Sequence, residues 1–261
     1  MSITPTESTA AYDKTGAAWK AIVETNLVHA AHVIALRGAG SFNGISTRDA
    51  NEIIAEHLVP RIEQYISDGK VCLIYDGDND DPQYPDIGYI MGRLCDYFGA
   101  RIECIAVQME SWFRYQNLLP TVAHLHSAND TGYQTIVFPD KTFPGNHDYF
   151  SQSERLCKLP QYEQWYVGAC GEIATKQLAD YSVKAADSPG PHKAVIFRAP
   201  VSADQETKIR EKIEKSTDPE KISRLKSALE RRIANPYGLL CTQNGEFILR
   251  PEYGNLEIEV I

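Results

Sequence analysis

Two short stretches carry residue types suited to holding and transforming a small polar ligand. The first is Arg37-Gly38-Ala39-Gly40-Ser41-Phe42-Asn43-Gly44. Its glycines let the backbone turn tightly and bring N–H groups close to an anion. Ser41 and Asn43 add side-chain donors, and Arg37 adds a positive charge. The spacing is not GxGxxG and no P-loop lysine follows, so an ordinary strand-to-helix turn competes with a phosphate or sugar cradle. The second stretch is Tyr75-Asp76-Gly77-Asp78-Asn79-Asp80-Asp81-Pro82. Its four carboxylates repel one another and favour a solvated turn. At the end of an apolar strand they equally suit ribose hydroxyls, or Mg²⁺ at Asp76, Asp78 and Asp81; no other cofactor is expected.

Asp86-Ile87-Gly88-Tyr89 then opens a helix, whose N-terminus favours the ionised form of Asp86. Gly88 inside that helix costs about 1 kcal/mol relative to alanine, which implies that another helix, the sheet or a ligand approaches the backbone. Trp112, Phe113 and Tyr115 follow the next strand; they either close over a base or pack a short helix.

The elements that must position these residues read as an alternation. Residues 13–28 form a helix with Trp19, Ile22, Val23 and Leu27 on one stripe, and HVIAL (32–36) is a continuous apolar run of the buried parallel-strand kind. A helix capped by Ser46 or Thr47 runs to about Ser67, with Pro60 kinking it. KVCLIY (70–75) is a second strand, Asp86 to Phe98 a helix stopped by Gly99, and RIECIAVQ (101–108) a third strand. This order predicts a Rossmann-like α/β fold, a parallel sheet flanked by helices, with a C-terminal helical hairpin and β-hairpin appendage. In such sheets ligands sit beyond the carboxyl ends of the strands, so segments 37–44 and 76–89 are expected to wall one cleft.

The second half is less regular. TVAHL (121–125) and TIVF (135–138) are candidate strands, 139–160 a proline-bearing loop, 161–186 a helix with Trp165, Cys170, Ile173 and Leu178 inward, and KAVIFRA (193–199) a strand. Residues 203–234 form a charged helical hairpin restarted at Thr217-Asp218-Pro219-Glu220. Asn244-Gly245 between apolar runs signals a β-hairpin. The expected organisation is a flexible arm (1–12), a Rossmann-like domain (13–200) and an appendage packed on it (201–261).

The segment DGDNDDPQYPDIGYIMGRLCDYFGARIECIAV resembles the core of the nucleoside 2-deoxyribosyltransferases and nucleotide N-glycosidases, in which an Asp-containing strand-end loop leads to a Pro/Gly turn and an acidic residue–Ile–Gly–Tyr/Trp helix start. The preceding VIALRGAG is similar in layout to the cytokinin-activating phosphoribohydrolases. The resemblance covers about residues 32–108. It implies that Asp86 stands where the family has a nucleophilic glutamate, that Asp76 or Asp78 holds ribose hydroxyls or orients the nucleophile, and that Tyr89 lines the pocket. The implied reaction is cleavage or transfer at a C1′–N bond, through an oxocarbenium-like sugar. A homodimer follows by the same analogy. Two features depart from the pattern: the acid is Asp, one methylene shorter, and the glycine-rich PGGxGT signature is absent.

Composition bounds the partners. Across 261 residues, 26 basic and 35 acidic side chains leave a formal charge of −9, which argues against nucleic acid and anionic membrane as partners but not against a small nucleotide or ribosyl substrate. No apolar run is long enough to span a bilayer and the first 15 residues lack a signal-peptide core. Cysteines at 72, 95, 104, 157, 170 and 241 form no CxxC pair, as expected of reduced, buried thiols in a cytoplasmic protein.

Four other readings compete. Gly77-Asp78-x-x-Asp81 and Gly145-Asn146-His147-Asp148 match blocks of the calcineurin-like metallophosphoesterases, but the DxH and GHxH blocks of a two-metal site are missing. DGDND resembles a toprim Mg²⁺ strand end, with Arg37 where a glutamate is expected. His124 and His126 alternate on one strand face without an evident third ligand. From a different class, a nucleotide-sensing or assembly subunit would bind at the same loops without turnover.

Overall fold

The structure, a computed structural model, describes residues 11–12, 23–38, 47–76, 87–109, 133–138, 156–167, 172–197, 203–234 and 253–261. In chain order they form β1 (Ala11–Tyr12), a π-helical turn (Val23–Leu27), β2 (His32–Gly38), α1 (Thr47–Ile53), a second π-helical turn (Ile54–Leu58), α2 (Val59–Asp68), β3 (Val71–Asp76), α3 (Ile87–Phe98), β4 (Glu103–Met109), β5 (Tyr133–Phe138), β6 (Tyr162–Val167), α4 (Glu172–Ala186), β7 (Lys193–Phe197), α5 (Ala203–Lys215), α6 (Pro219–Ala234) and β8 (Glu257–Val260). The eight strands make one sheet in the order β1-β5-β4-β3-β2-β6-β7-β8. Every pairing is parallel. The α/β Rossmann-like architecture is therefore present.

The chain builds outward from β2 in both directions. β3, β4 and β5 follow on one side, and β6, β7 and β8 on the other. On one face of the sheet α1, α2 and α3 cover Ile34, Leu36, Leu73, Tyr75, Trp165 and Phe197. On the other face Leu27, Leu156 and Tyr181 of α4 cover Val33, Ala35, Cys72 and Ile74. Crossovers between parallel strands keep a right hand, so reversing the direction of travel moves the helices to the opposite face. Burial on both faces explains why Val33 to Leu36 and Val71 to Leu73 are each fully enclosed and read as unbroken apolar runs rather than alternating ones.

The expected helix over 161–186 is corrected at its start. Residues 162–167 are β6, which lies beside β2 in the middle of the sheet, and the helix begins only at Glu172. All six β6 residues are buried, including Glu163 and Gln164. The strand satisfies its own amide: Tyr166 donates to Gln164 Oε1, and Gln164 Nε2 donates to the Tyr162 hydroxyl at 2.8 Å. These three side chains are two residues apart and share one face, a spacing that a helix would scatter. β2 is longer than expected, reaching Gly38, so Arg37 and Gly38 belong to the strand rather than to the loop.

Around Pro60, where a kink is expected, the structure shows a change of helix type. A proline has no N–H for the carbonyl four residues back, and its ring crowds that carbonyl. The chain meets this with the π-helical turn Ile54–Leu58 immediately before, where the Val59 N–H reaches back to the Ile54 carbonyl. Pro60 then sits in the first turn of α2. Gly99 ends α3 with φ at +54°, the left-handed conformation foreseen for a stop. At the other end of the chain, Asp218 Oδ1 accepts from the backbone N–H of Glu220 and Lys221 and starts α6 as an N-cap.

β8 joins the sheet as a parallel edge strand on β7, in register from Lys193↔Glu257 to Ile196↔Val260. The sequence reading placed no strand there. The Asn244-Gly245 hairpin and the 121–125 strand lie outside the described residues, as does most of the 139–160 loop.

Candidate functional site

β2 and β3 are adjacent and parallel, with Leu36 opposite Tyr75, so the chain leaves Gly38 and Asp76 side by side at the carboxyl edge of the sheet. It returns at Thr47 and Ile87, the first residues of α1 and α3, which pack on the same face. Tyr89 in the first turn of α3 donates its hydroxyl to Asn51 Oδ1 of α1 at 3.0 Å. This bond clips together the two helices that follow the glycine-rich and acid-rich segments. Tyr89 is half-buried and packs against the core under the sheet edge.

β6 lies on the other side of β2, so the strand order reverses between them. In open α/β sheets the crevice at such a reversal is the usual ligand position. Here Gly38 stands opposite Val167. A Cβ on Gly38 would lie 2.6 Å from the Val167 carbonyl oxygen and 3.4 Å from Ile87 Cδ1. Close approach of two backbones and the start of α3 thus accounts for glycine at this position. Arg37 is 4% exposed, opposite Tyr166 in the register. Strand alternation puts it on the face of Val33 and Ala35, away from α1 and α3. Gly88 is buried in α3.

Asp76 is the last residue of β3 and pairs with Val107 of β4. The other expected site residues, Gly40, Ser41, Asn43, Asp78, Asp81, Asp86 and Trp112, lie outside the described residues. So do His124, His126 and the Gly145-Asn146-His147-Asp148 block. Among the described residues no group of three or more His, Cys, Asp or Glu is placed to hold a metal. Also among them, no helix is long and apolar enough to cross a membrane. Sequence reasoning missed that β6 closes the other side of this edge. A signal existed: Gly168-Ala169-Cys170-Gly171 follows the aromatic run of β6, as the glycine-rich segment follows β2.

The amino edge of the sheet is built differently. Arg61 of α2 holds Glu259 of β8 through two hydrogen bonds, one of them 2.9 Å, and Lys193 of β7 meets the same carboxylate at 2.5 Å. The Arg61 bonds hold the Glu259 carboxyl down to about 2, against the opposing effect of partial burial, with Lys193 adding to the pull. Glu163 lies beneath them, 6% exposed, with the Tyr65 hydroxyl 3.4 Å away; burial pushes its carboxyl above the ordinary range. His32 stacks on Tyr65 at 3.9 Å between ring centroids, and burial lowers its pKa although Asp68 is near. Glu103 of β4 takes hydrogen bonds from Asn26 and Cys72 and an ion pair from Lys70 at 2.6 Å. Burial and the Glu103 contact push the Cys72 thiol up to about 12.

No family model, no curated protein and no solved structure matches this chain.

Proposed function

We propose that this protein binds a nucleotide or a related ribosyl compound between segments 37–44 and 76–89, and cleaves or transfers at its N-glycosidic bond. The observation that carries the reading is the adjacency of β2 and β3, which brings both chemically distinctive segments to one edge, with α1 and α3 clipped behind them by Tyr89 and Asn51. Gly40, Ser41 and Asn43 serve as donors to an anionic group, with Arg37 and Gly38 at the strand end beneath them. Asp76 and Asp78 accept from the ribose hydroxyls, and Asp81 extends that acidic wall. Tyr89 lines the cleft from the first turn of α3, and Trp112 closes over the base.

Asp86 directly precedes α3, where the helix N-terminus keeps a carboxylate ionised at neutral pH. In the proposed reaction its oxygen bonds to C1′ as the C1′–N bond breaks. The electron pair of that bond leaves with the base, which takes up a proton. Water or a second acceptor then displaces the carboxylate and frees it for another cycle.

The test is incubation with nucleosides, nucleoside monophosphates and NAD, followed by chromatography for free base. Base release is expected, falling by about 10³-fold or more in Asp86→Ala. Binding without base release would instead favour a nucleotide-sensing role at the same edge. Metal-dependent phosphate release would overturn the glycosidic reading.

A further inference from the structure

We propose that Cys95 and Cys104 are a reversible dithiol–disulfide pair, which a hydroperoxide oxidises to a bond stapling α3 to β4. Cys95 lies in the second half of α3 and Cys104 on the strand beneath it, and their sulfurs are 3.0 Å apart with the Cys95 thiol donating to Cys104. That separation is shorter than ordinary van der Waals contact between two sulfurs. Closing to a disulfide length of about 2.0 Å asks for a shift of only about 1 Å. The other two described cysteines are arranged otherwise. Cys72 donates to Glu103, and Cys157 is packed in the core on the opposite face of the sheet.

The two thiols are not equivalent. Both are buried, Cys95 on the helix at 5% exposure and Cys104 on the sheet at 1%, so an oxidant reaches Cys95 when the helix opens locally. The helix that carries Cys95 has Gly88 in its first turn, Gly92 in its interior and Gly99 directly after its end. An interior glycine weakens a helix by about 1 kcal/mol relative to alanine, which favours local opening of α3 over opening of the sheet. The peroxide oxygen transfers to the Cys95 sulfur, giving a sulfenic acid and water. The Cys104 sulfur then attacks that sulfur, the S–S bond forms, the S–O bond breaks and a second water leaves. Two thiols lose two hydrogens and two electrons, and one peroxide is reduced to two waters. Contact with Cys95 together with burial holds Cys104 mostly as the thiol, which slows its attack.

Trypsin separates the pair, because Arg101 lies between them; Cys95 falls in residues 94–101 and Cys104 in residues 102–114. The experiment treats the folded chain with dilute hydrogen peroxide, alkylates remaining thiols and digests without reductant. The expected result is these two peptides joined with the loss of two hydrogens, both alkylations lost, and full reversal by a thiol reductant. Cys104→Ser is expected to leave Cys95 as a sulfenic acid that dimedone traps. Recovery of both peptides in alkylated form while the circular dichroism remains native would overturn the proposal. So would a bond from either cysteine to Cys72 or Cys157 in preference.

Discussion

The two edges of the sheet handle charge in opposite ways. Towards the amino edge, carboxylates of β8, β4 and α2 meet cations from distant parts of the chain: Glu259 with Arg61 and Lys193, Glu103 with Lys70, Glu63 with Arg101. In the segment that begins at the end of β3, five aspartates fall between residues 76 and 86, and no lysine or arginine occurs from 76 to 92. Paired charges at one end tie β8 and β7 to α2. Like charges so concentrated in sequence repel one another, which suits a segment near solvent or a ligand. Under the proposed function, the contrast separates the end of the fold that holds it together from the end that binds the ligand.

Substitutions can break or sharpen that contrast. The largest effect is expected at Gly38, where cohesion intrudes on the carboxyl edge. Its Cβ would press on a backbone carbonyl that cannot swing away, so Gly38→Ala is expected to cost about 1–3 kcal/mol. Calorimetry would show this as a Tm lowered by roughly 2–4 °C for each kcal/mol. An unchanged Tm would mean that β2 and β6 are less closely apposed than described.

Next is Glu259→Gln at the amino edge. Its folded carboxyl stands near 2 against an ordinary 4.5, so its contribution to stability is complete above 4.5 and is lost as the pH falls toward 2. Solvent reaches this pair, which limits the expected loss to about 1 kcal/mol at neutral pH. Thermal melts across pH should show the variant and the parent converging in acid, with the proposed ligand binding unaffected. Glu163→Gln should act in the opposite sense. Burial raises this carboxyl, so its ionised form opposes folding at neutral pH, and that penalty fades as the pH falls through its raised value toward 4.5. The glutamine variant is expected to be more stable at pH 7 by a fraction of a kcal/mol, with the advantage gone below pH 4.5. Smallest is Tyr89→Phe, which removes one exposed hydrogen bond to Asn51. A loss of about 0.5 kcal/mol is expected, with a weakening of ligand affinity of about two-fold by titration calorimetry.

Much of the half-sheet from β2 to β4 could be read directly, because strands buried on both faces leave unbroken apolar runs such as Val33–Leu36 and Val71–Tyr75. β6 escaped for the same reason in reverse. Its Glu163 and Gln164 make a polar centre that looks like a helix face, and only the hydrogen bonds with Tyr162 and Tyr166 and the neighbours Tyr65 and Arg61 make that centre tolerable inside a sheet. Those partners are a matter of tertiary placement, which no local pattern encodes. β8 did carry a local sign, the alternation Glu257-Ile258-Glu259-Val260. The candidate edge was legible where two consecutive strands pair, β2 with β3. Its third member was not, since the reversal that sets β6 beside β2 joins segments with residues 39–161 between them.

That reversal bears on how the chain is made. During synthesis β2 emerges early and finds β3 soon after, yet its other flank must wait for β6, long after the ribosome has passed α1 and α2. In the interval an apolar strand presents a naked row of peptide donors and acceptors to the cell, a template for unwanted pairing. Nascent fragments that stop short of residue 162 should therefore be the ones that cling to chaperones, and those that extend past Val167 the ones that let go.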